Sequence, residues 1–104
     1  MFDLLLPPFV RRLVLYPVPI NVRWGPARLR AACERELGLT LDPATAVLFH
    51  NRKQDTLVLY TLDGSGDRCI TKKLERGSFL LPLPADGENY VVLAASKVAS
   101  LFRA

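Results

Sequence analysis

Residues 46–74 read AVLFH (46–50), NRKQD (51–55), TLVLYTL (56–62), DGSG (63–66) and DRCITKKL (67–74), and this stretch decides the fold. Ala46 to His50 is short, apolar and closed by a polar run, which predicts a strand. Asn51 to Asp55 is a polar connection. Thr56 to Leu62 alternates Leu57, Leu59 and Thr61 with Val58, Tyr60 and Leu62, so both of its faces are largely apolar. A strand of that kind belongs inside a sheet covered on two sides. Asp63-Gly64-Ser65-Gly66 is a hairpin signal, because aspartate and glycine tolerate positive φ. Arg68 to Leu74 then forms the returning strand, and Glu75-Arg76-Gly77-Ser78 turns again. In such a meander alternate connections share one end of the sheet. The Arg52-Lys53 loop and the Arg76-Gly77 turn are therefore expected at one pole, with Asp63 and Asp67 at the other.

Working outward, Gly25 to Gly38 predicts the main helix. Pro26 suits the first helical position, where a missing N–H costs nothing. Gly38 suits the left-handed residue just past the end. Leu29, Cys33 and Leu37, with Ala32 beside them, form one apolar stripe. Arg12 to Tyr16 reads as a first strand that Pro17-Val18-Pro19 either ends or makes an edge strand, since proline cannot donate to a ladder. Leu6-Pro7-Pro8-Phe9 should be extended, because each proline fixes φ and biases the residue before it. Asp42-Pro43 marks a turn. Downstream, Phe79-Leu80-Leu81 is a candidate for brief pairing, and Asp86-Gly87-Glu88-Asn89 reads as another turn. Tyr90 to Leu93 predicts a short strand, and Ala95 to Phe102 a short helix with Val98, Leu101 and Phe102 inward. The expectation is an α+β fold: an antiparallel β-meander of four to six strands, one main helix at about 26–37 packed on one face, and a short C-terminal helix.

The 104 residues suit a single domain, 1–104. Half of them are hydrophobic and 23% charged, an ordinary globular balance that argues against disorder. A chain this long buries about two thirds of its unfolded surface, enough for a core without staples. The apolar runs Leu4–Leu6 and Leu13–Tyr16 fall far short of the ~20 residues of a membrane span. Asp3 stands where a secretory leader carries basic residues, so no signal peptide and a cytoplasmic location are expected. Two cysteines, Cys33 and Cys69, make neither a disulfide framework nor a four-ligand zinc site, and are expected to be reduced and buried.

Fourteen Lys and Arg against ten Asp and Glu give a net charge of +4. Residues 1–38 carry +3, residues 39–49 carry −1, residues 50–77 carry +2 and residues 78–104 balance. Ten of the fourteen cations are arginine, which favours forked contact with phosphate or carboxylate over point-charge attraction.

The residues that could carry catalysis are few. His50, at a strand end, lacks an evident nucleophile and an orienting partner. A metal-dependent nuclease would need clustered carboxylates. Asp55, Asp63 and Asp67 are near one another in sequence, but each sits at a turn, where aspartate bonds to its own backbone. No phosphate-binding glycine loop is present, since Asp63–Gly66 joins two strands instead of a strand to a helix. Neither a metal nor a cofactor is implied. The basic group is more informative. Arg52, Lys53, Lys72, Lys73 and Arg76, with Arg23 from the preceding element, are candidates for a surface that grips phosphate oxygens without reading sequence. The bland reading is a solvated charged face. Arg23 could equally pair with Asp55 and pin the helix to the sheet. Trp24 reads either as a core anchor or as an exposed partner-binding residue.

Taken together, the motifs resemble a known family. Asn51-Arg52-Lys53-Gln54-Asp55, Asp63-Gly64-Ser65-Gly66 and Lys72-Lys73-Leu74-Glu75-Arg76-Gly77-Ser78-Phe79 fall in the order and spacing of the second-open-reading-frame (TnpB-type) accessory protein of the insertion-sequence sixty-six family of bacterial transposable elements. Pro19, Arg23, Gly25 and Leu29 fit its upstream element. The likeness spans roughly residues 13–82. This chain departs from the family at Leu62, Asp67, Ile70 and Thr71, where aromatic residues are usual, and over Asn21–Gly25, where Asp-Met-Arg-Lys-Gly is usual. The resemblance implies a non-enzymatic helper of transposition, encoded beside a larger transposase. It would bind that transposase, element DNA, or both through the basic sheet end. The alternative is a protein–protein interaction module that touches no DNA.

Overall fold

Gly25 and Gly38 bracket the main helix as their chemistry dictates. The computed structural model describes residues 10–82, 84 and 89–103. Gly25 has extended backbone (φ −78°, ψ 172°), and Pro26 occupies the first helical position. The Gly25 carbonyl accepts the N–H groups of Arg28 and Leu29, both at 3.1 Å. Helix α1 (Pro26–Ala32) continues as a π-helical segment, Cys33–Leu37, and ends at Gly38 with φ 65°. The change of winding has a packing reason. Four residues of α-helix overshoot a full turn by about 40°, so Leu37 would drift about 80° from Leu29. The wider i→i+5 winding turns less per residue and brings Leu37 back over the core. Leu29, Cys33 and Leu37 are all buried.

Five strands form one sheet in the order β4-β3-β2-β1-β5. They are β1 (Arg12–Leu15), β2 (Thr45–His50), β3 (Thr56–Asp63), β4 (Gly66–Lys73) and β5 (Val91–Leu93). Helix α2 (Ala95–Arg103) follows β5. The α+β architecture, the strand number and both helices are as the sequence predicts. The sheet is antiparallel except for one pair. β1 runs parallel to β2, because α1 lies between them and supplies the crossover that parallel neighbours require. β5 then pairs antiparallel on the far side of β1. Phe79 to Leu81 joins no strand; the Phe79 side chain is buried instead. The expected segment at 6–9 and most of the turn at 86–89 lie outside the described residues.

Alternation along the strands sends side chains to two cores. Val14, Tyr16, Val47, Phe49, Val58 and Tyr60 meet Leu29, Ala32, Cys33 and Leu37 on the α1 face. Leu13, Leu15, Ala46, Leu48, Leu57 and Leu59 meet Phe79, Leu93, Val98 and Leu101 on the α2 face. Both apolar faces of β3 are thereby explained: it is an interior strand with a layer on either side. Cys33 is buried as expected, and burial pushes its thiol up to about 12. Cys69 corrects the expectation. It lies on edge strand β4 and is exposed.

Candidate functional site

One pole of the sheet is built around Asn51. Its Oδ1 accepts the N–H groups of Asp55 (3.1 Å) and Thr56 (3.2 Å), and its Nδ2 donates to Asp55 Oδ1 at 2.7 Å. Thr56 Oγ1 donates to the same carboxylate oxygen at 3.0 Å. The Gln54 N–H closes on the Asn51 carbonyl at 3.0 Å, and Gln54 takes a left-handed φ of 58°. A short polar loop is thus fixed by its own side chains, with Arg52 and Lys53 exposed at its tip. The hydrogen bonds from Asn51 and Thr56 hold the Asp55 carboxyl below the usual carboxylate range, with Lys73 and Lys53 adding to the effect.

The second basic turn is tied to the first. Leu74 N–H donates to the Asp55 carbonyl (2.7 Å) and Phe79 N–H to the Gln54 carbonyl (2.6 Å). Between them Gly77 adopts φ 78°, a region that disfavours side-chain-bearing residues. A third piece comes from the chain after β1. Ile20 N–H donates to the His50 carbonyl at 2.9 Å and holds Pro19–Val22 beside the Asn51 loop. The Asn51 loop, Pro19–Val22 and the end of β4 enclose an open groove of about 660 Å³. Its cationic side chains are Arg52, Lys53 and Lys73; Asn21, Asn51 and Thr71 add polar groups, and the Asp55 carboxylate also lines it.

The six basic candidates are therefore not equivalent. Arg52, Lys53 and Lys73 meet at the groove. Lys72 is beside Lys73 in sequence but opposes Leu57 in β3, whose side chain enters the α2-face core, so Lys72 lies on the other face of the sheet. Arg76 shares the pole, but its turn leads from Leu74 to Phe79, both packed on the α2 face, and it does not line the groove. Arg23 is exposed on the turn before α1, where its N–H donates to Asn21 Oδ1 at 2.9 Å. The anticipated Arg23–Asp55 pair does not form, because Asp55 is already taken by Asn51 and Thr56. Among the described residues Arg52, Lys53, Lys72, Lys73 and Arg76 make no ion pair. Trp24 is half-buried against the α1-face core, with the Arg28 guanidinium carbon 4.3 Å from its ring centroid.

The helix is pinned elsewhere, by a cluster that sequence reasoning missed. Arg30 on α1 donates through Nε to the Tyr60 hydroxyl (3.1 Å) and pairs with Asp67 of β4, while the Tyr60 hydroxyl also donates to Asp67. The bonds from Tyr60 and Arg30 hold Asp67 below its usual range. Burial, then Asp67, pushes Tyr60 up to about 12. The signal was present: the hairpin register sets Asp67 diagonal to Tyr60, and Arg30 lies off the apolar stripe of its helix.

The carboxylates do not assemble. Asp55 lies at one end of β3 and Asp63 at the other, about 26 Å away along eight extended residue steps. Asp63 folds its turn by accepting from Ser65 N–H and Oγ (both 2.7 Å) and Gly66 N–H (2.9 Å). Among the described residues no three His, Cys, Asp or Glu side chains group so as to hold a metal ion. His50 is 5% exposed, and its Nε2 lies 3.0 Å from the Tyr16 carbonyl, a bond between strand ends. Among the described residues no helix is long and apolar enough to cross a membrane.

Comparison with curated proteins and with solved structures gives no match. A family model described as "IS66 Orf2 like protein" matches residues 11–104. That span covers both helices, the whole sheet and the basic pole, so the chain belongs to the IS66 Orf2-like family of transposition-associated accessory proteins.

Proposed function

We propose that this protein assists transposition without catalysing a bond-making step, by holding nucleic-acid phosphates at the basic pole of its sheet and working beside the element's transposase in the cytoplasm. One observation supports this reading above the others. Arg52, Lys53 and Lys73 come from two separate segments, share one groove, and have no carboxylate locked to them among the described residues. The guanidinium fork of Arg52 suits a phosphate with two acceptor oxygens, and the two ammonium groups supply neighbouring point charges. Asn51, Asn21 and Thr71 offer neutral donors along the same wall. Contacts of this type place a protein on a duplex without reading its bases. Lys72, Arg76 and Arg23 extend the positive field around the pole and act through steering.

A mobility-shift titration with element-end DNA at low salt tests the reading. The wild type shifts the DNA, and Arg52→Ala with Lys53→Ala loses most of the shift. The absence of a shift in the wild type, or an unchanged shift in the variant, would reject the DNA role. A second reading, a protein-interaction module, has a specific observation in its favour, the open edge of β4. Trp24, the other feature named for that role, is half-committed to its own fold by the core and by Arg28.

A further inference from the structure

The β3–β4 hairpin turns through Gly64 and Ser65, with Asp63 opposite Gly66. In a two-residue hairpin, opposed pairs alternate between bonded and non-bonded, beginning with a bonded closing pair. Gly66, Arg68, Ile70 and Lys72 therefore give their backbone groups to β3. The Leu74 N–H to Asp55 carbonyl bond continues the same parity. Asp67, Cys69, Thr71 and Lys73 turn their N–H and C=O groups outward. Among the described residues no strand pairs with that edge.

This edge is well formed for pairing. β4 runs eight residues in unbroken register with β3, without a proline or a bulge. Natural edges are usually shortened, bulged or charged to prevent pairing. Here the device is charge, and it is one-sided. Lys72 and Lys73 place a cation on each face of the strand, and Asp67 is engaged by Arg30. Like charges directly opposite one another are unfavourable, and opposite charges are favourable. A second copy of this chain is a poorer occupant: it repeats Lys72 and Lys73 at the seam, and its Asp67 is already engaged by Arg30. A strand carrying Glu or Asp on both of its faces meets no such conflict.

We propose that the outer edge of β4 accepts an extended acidic peptide segment of a partner protein as a sixth strand, using the backbone of Cys69, Thr71 and Lys73 for pairing and Lys72 and Lys73 for charge selection. The edge shares Thr71 and Lys73 with the groove, but the pairing rests on outward backbone groups of β4 and needs neither Arg52 nor Lys53.

Amide exchange on the full chain tests it, with a nine-residue peptide alternating Glu and Val as the probe and its Lys-for-Glu counterpart as control. In the free protein the Cys69 and Thr71 amides exchange faster than those of Arg68, Ile70 and Lys72. At saturation the acidic peptide slows Cys69, Thr71 and Lys73 at least tenfold, and the basic peptide leaves them unchanged. Thr71→Pro, which removes an outward N–H without touching the bonds to β3, weakens the acidic peptide at least tenfold, with circular dichroism confirming the fold. Lys72→Glu with Lys73→Glu reverses the preference between peptides. Arg52→Ala with Lys53→Ala keeps the peptide within a few fold even where it loses DNA. No protection by the acidic peptide overturns the proposal. So does equal protection by both peptides, protection that grows with protein concentration alone (a second copy), or the same protection from a short DNA duplex.

Discussion

Asn51→Ala separates two ideas that charge-removing variants confuse, the presence of cations and their positioning. The substitution leaves every Arg and Lys in place. It deletes the acceptor that holds the backbone N–H groups of Asp55 and Thr56, at 3.1 and 3.2 Å. Two such bonds at about 1 kcal/mol each give a loss near 2 kcal/mol. For a domain of this size that lowers the melting temperature by roughly 10 °C. The effect on binding follows from the loop. With Asn51 intact, Arg52 and Lys53 ride on a loop already fixed before DNA arrives. Without it they must be ordered on binding, at about 0.5–1.5 kcal/mol for each side chain. The expected loss of DNA affinity is about tenfold, corresponding to about 1.4 kcal/mol. Thermal unfolding by circular dichroism and fluorescence anisotropy with a labelled duplex, both well below the melting point, read the two quantities separately. An unchanged melting temperature would refute the hydrogen-bond argument. A lowered melting temperature with unchanged affinity would refute the positioning argument and leave charge alone as the basis of binding.

Further outcomes follow from the same structure. Phe49→Ala removes a fully buried ring from the α1-face core and should cost about 3–5 kcal/mol in urea unfolding; a loss under 1 kcal/mol would contradict the two-core packing. Asp55, Asp63 and Asp67 all have carboxyls held below their unfolded values, so their contribution is present above about pH 4 and is lost as pH falls through the folded values. Acid titration of stability should therefore fall below about pH 4, and Asp67→Asn should flatten the slope in that window. A thiol reagent should label one cysteine in the native protein, Cys69, and reach Cys33 only after unfolding; two fast thiols would contradict the burial of α1.

Much of this fold was legible because its signals are local. Gly25, Pro26 and Gly38 fix the helix ends through backbone geometry, and Asp63–Gly66 fixes the hairpin. The parallel pairing of β1 was not legible, since nothing within Arg12–Tyr16 states which neighbour it will find. The π-helical segment was also hidden: a four-residue spacing of Leu29, Cys33 and Leu37 suits an α-helix only loosely, and the core decides the winding. At the site, the strand order correctly brought the two basic loops to one pole. Grouping Lys72 with Lys73 ignored the alternation of a strand, which sends neighbours to opposite faces. The Pro19–Val22 wall depends on a long-range bond from Ile20 to His50 that no spacing encodes. Cys69 was misplaced because edge strands expose residues that a covered strand would bury.

The salt dependence of DNA affinity tests the central claim most directly. Each phosphate neutralised contributes about −0.9 to the slope of log K against log salt, so three groove cations predict about −2.7 and a fall of about 40-fold between 50 and 200 mM. Arg52→Ala, Lys53→Ala and Lys73→Ala together should bring the slope close to zero, while Lys72→Ala with Arg76→Ala should leave it near the wild-type value. A flat wild-type slope, or a slope that collapses only in the Lys72 and Arg76 variant, would contradict the assignment of phosphate contact to this groove.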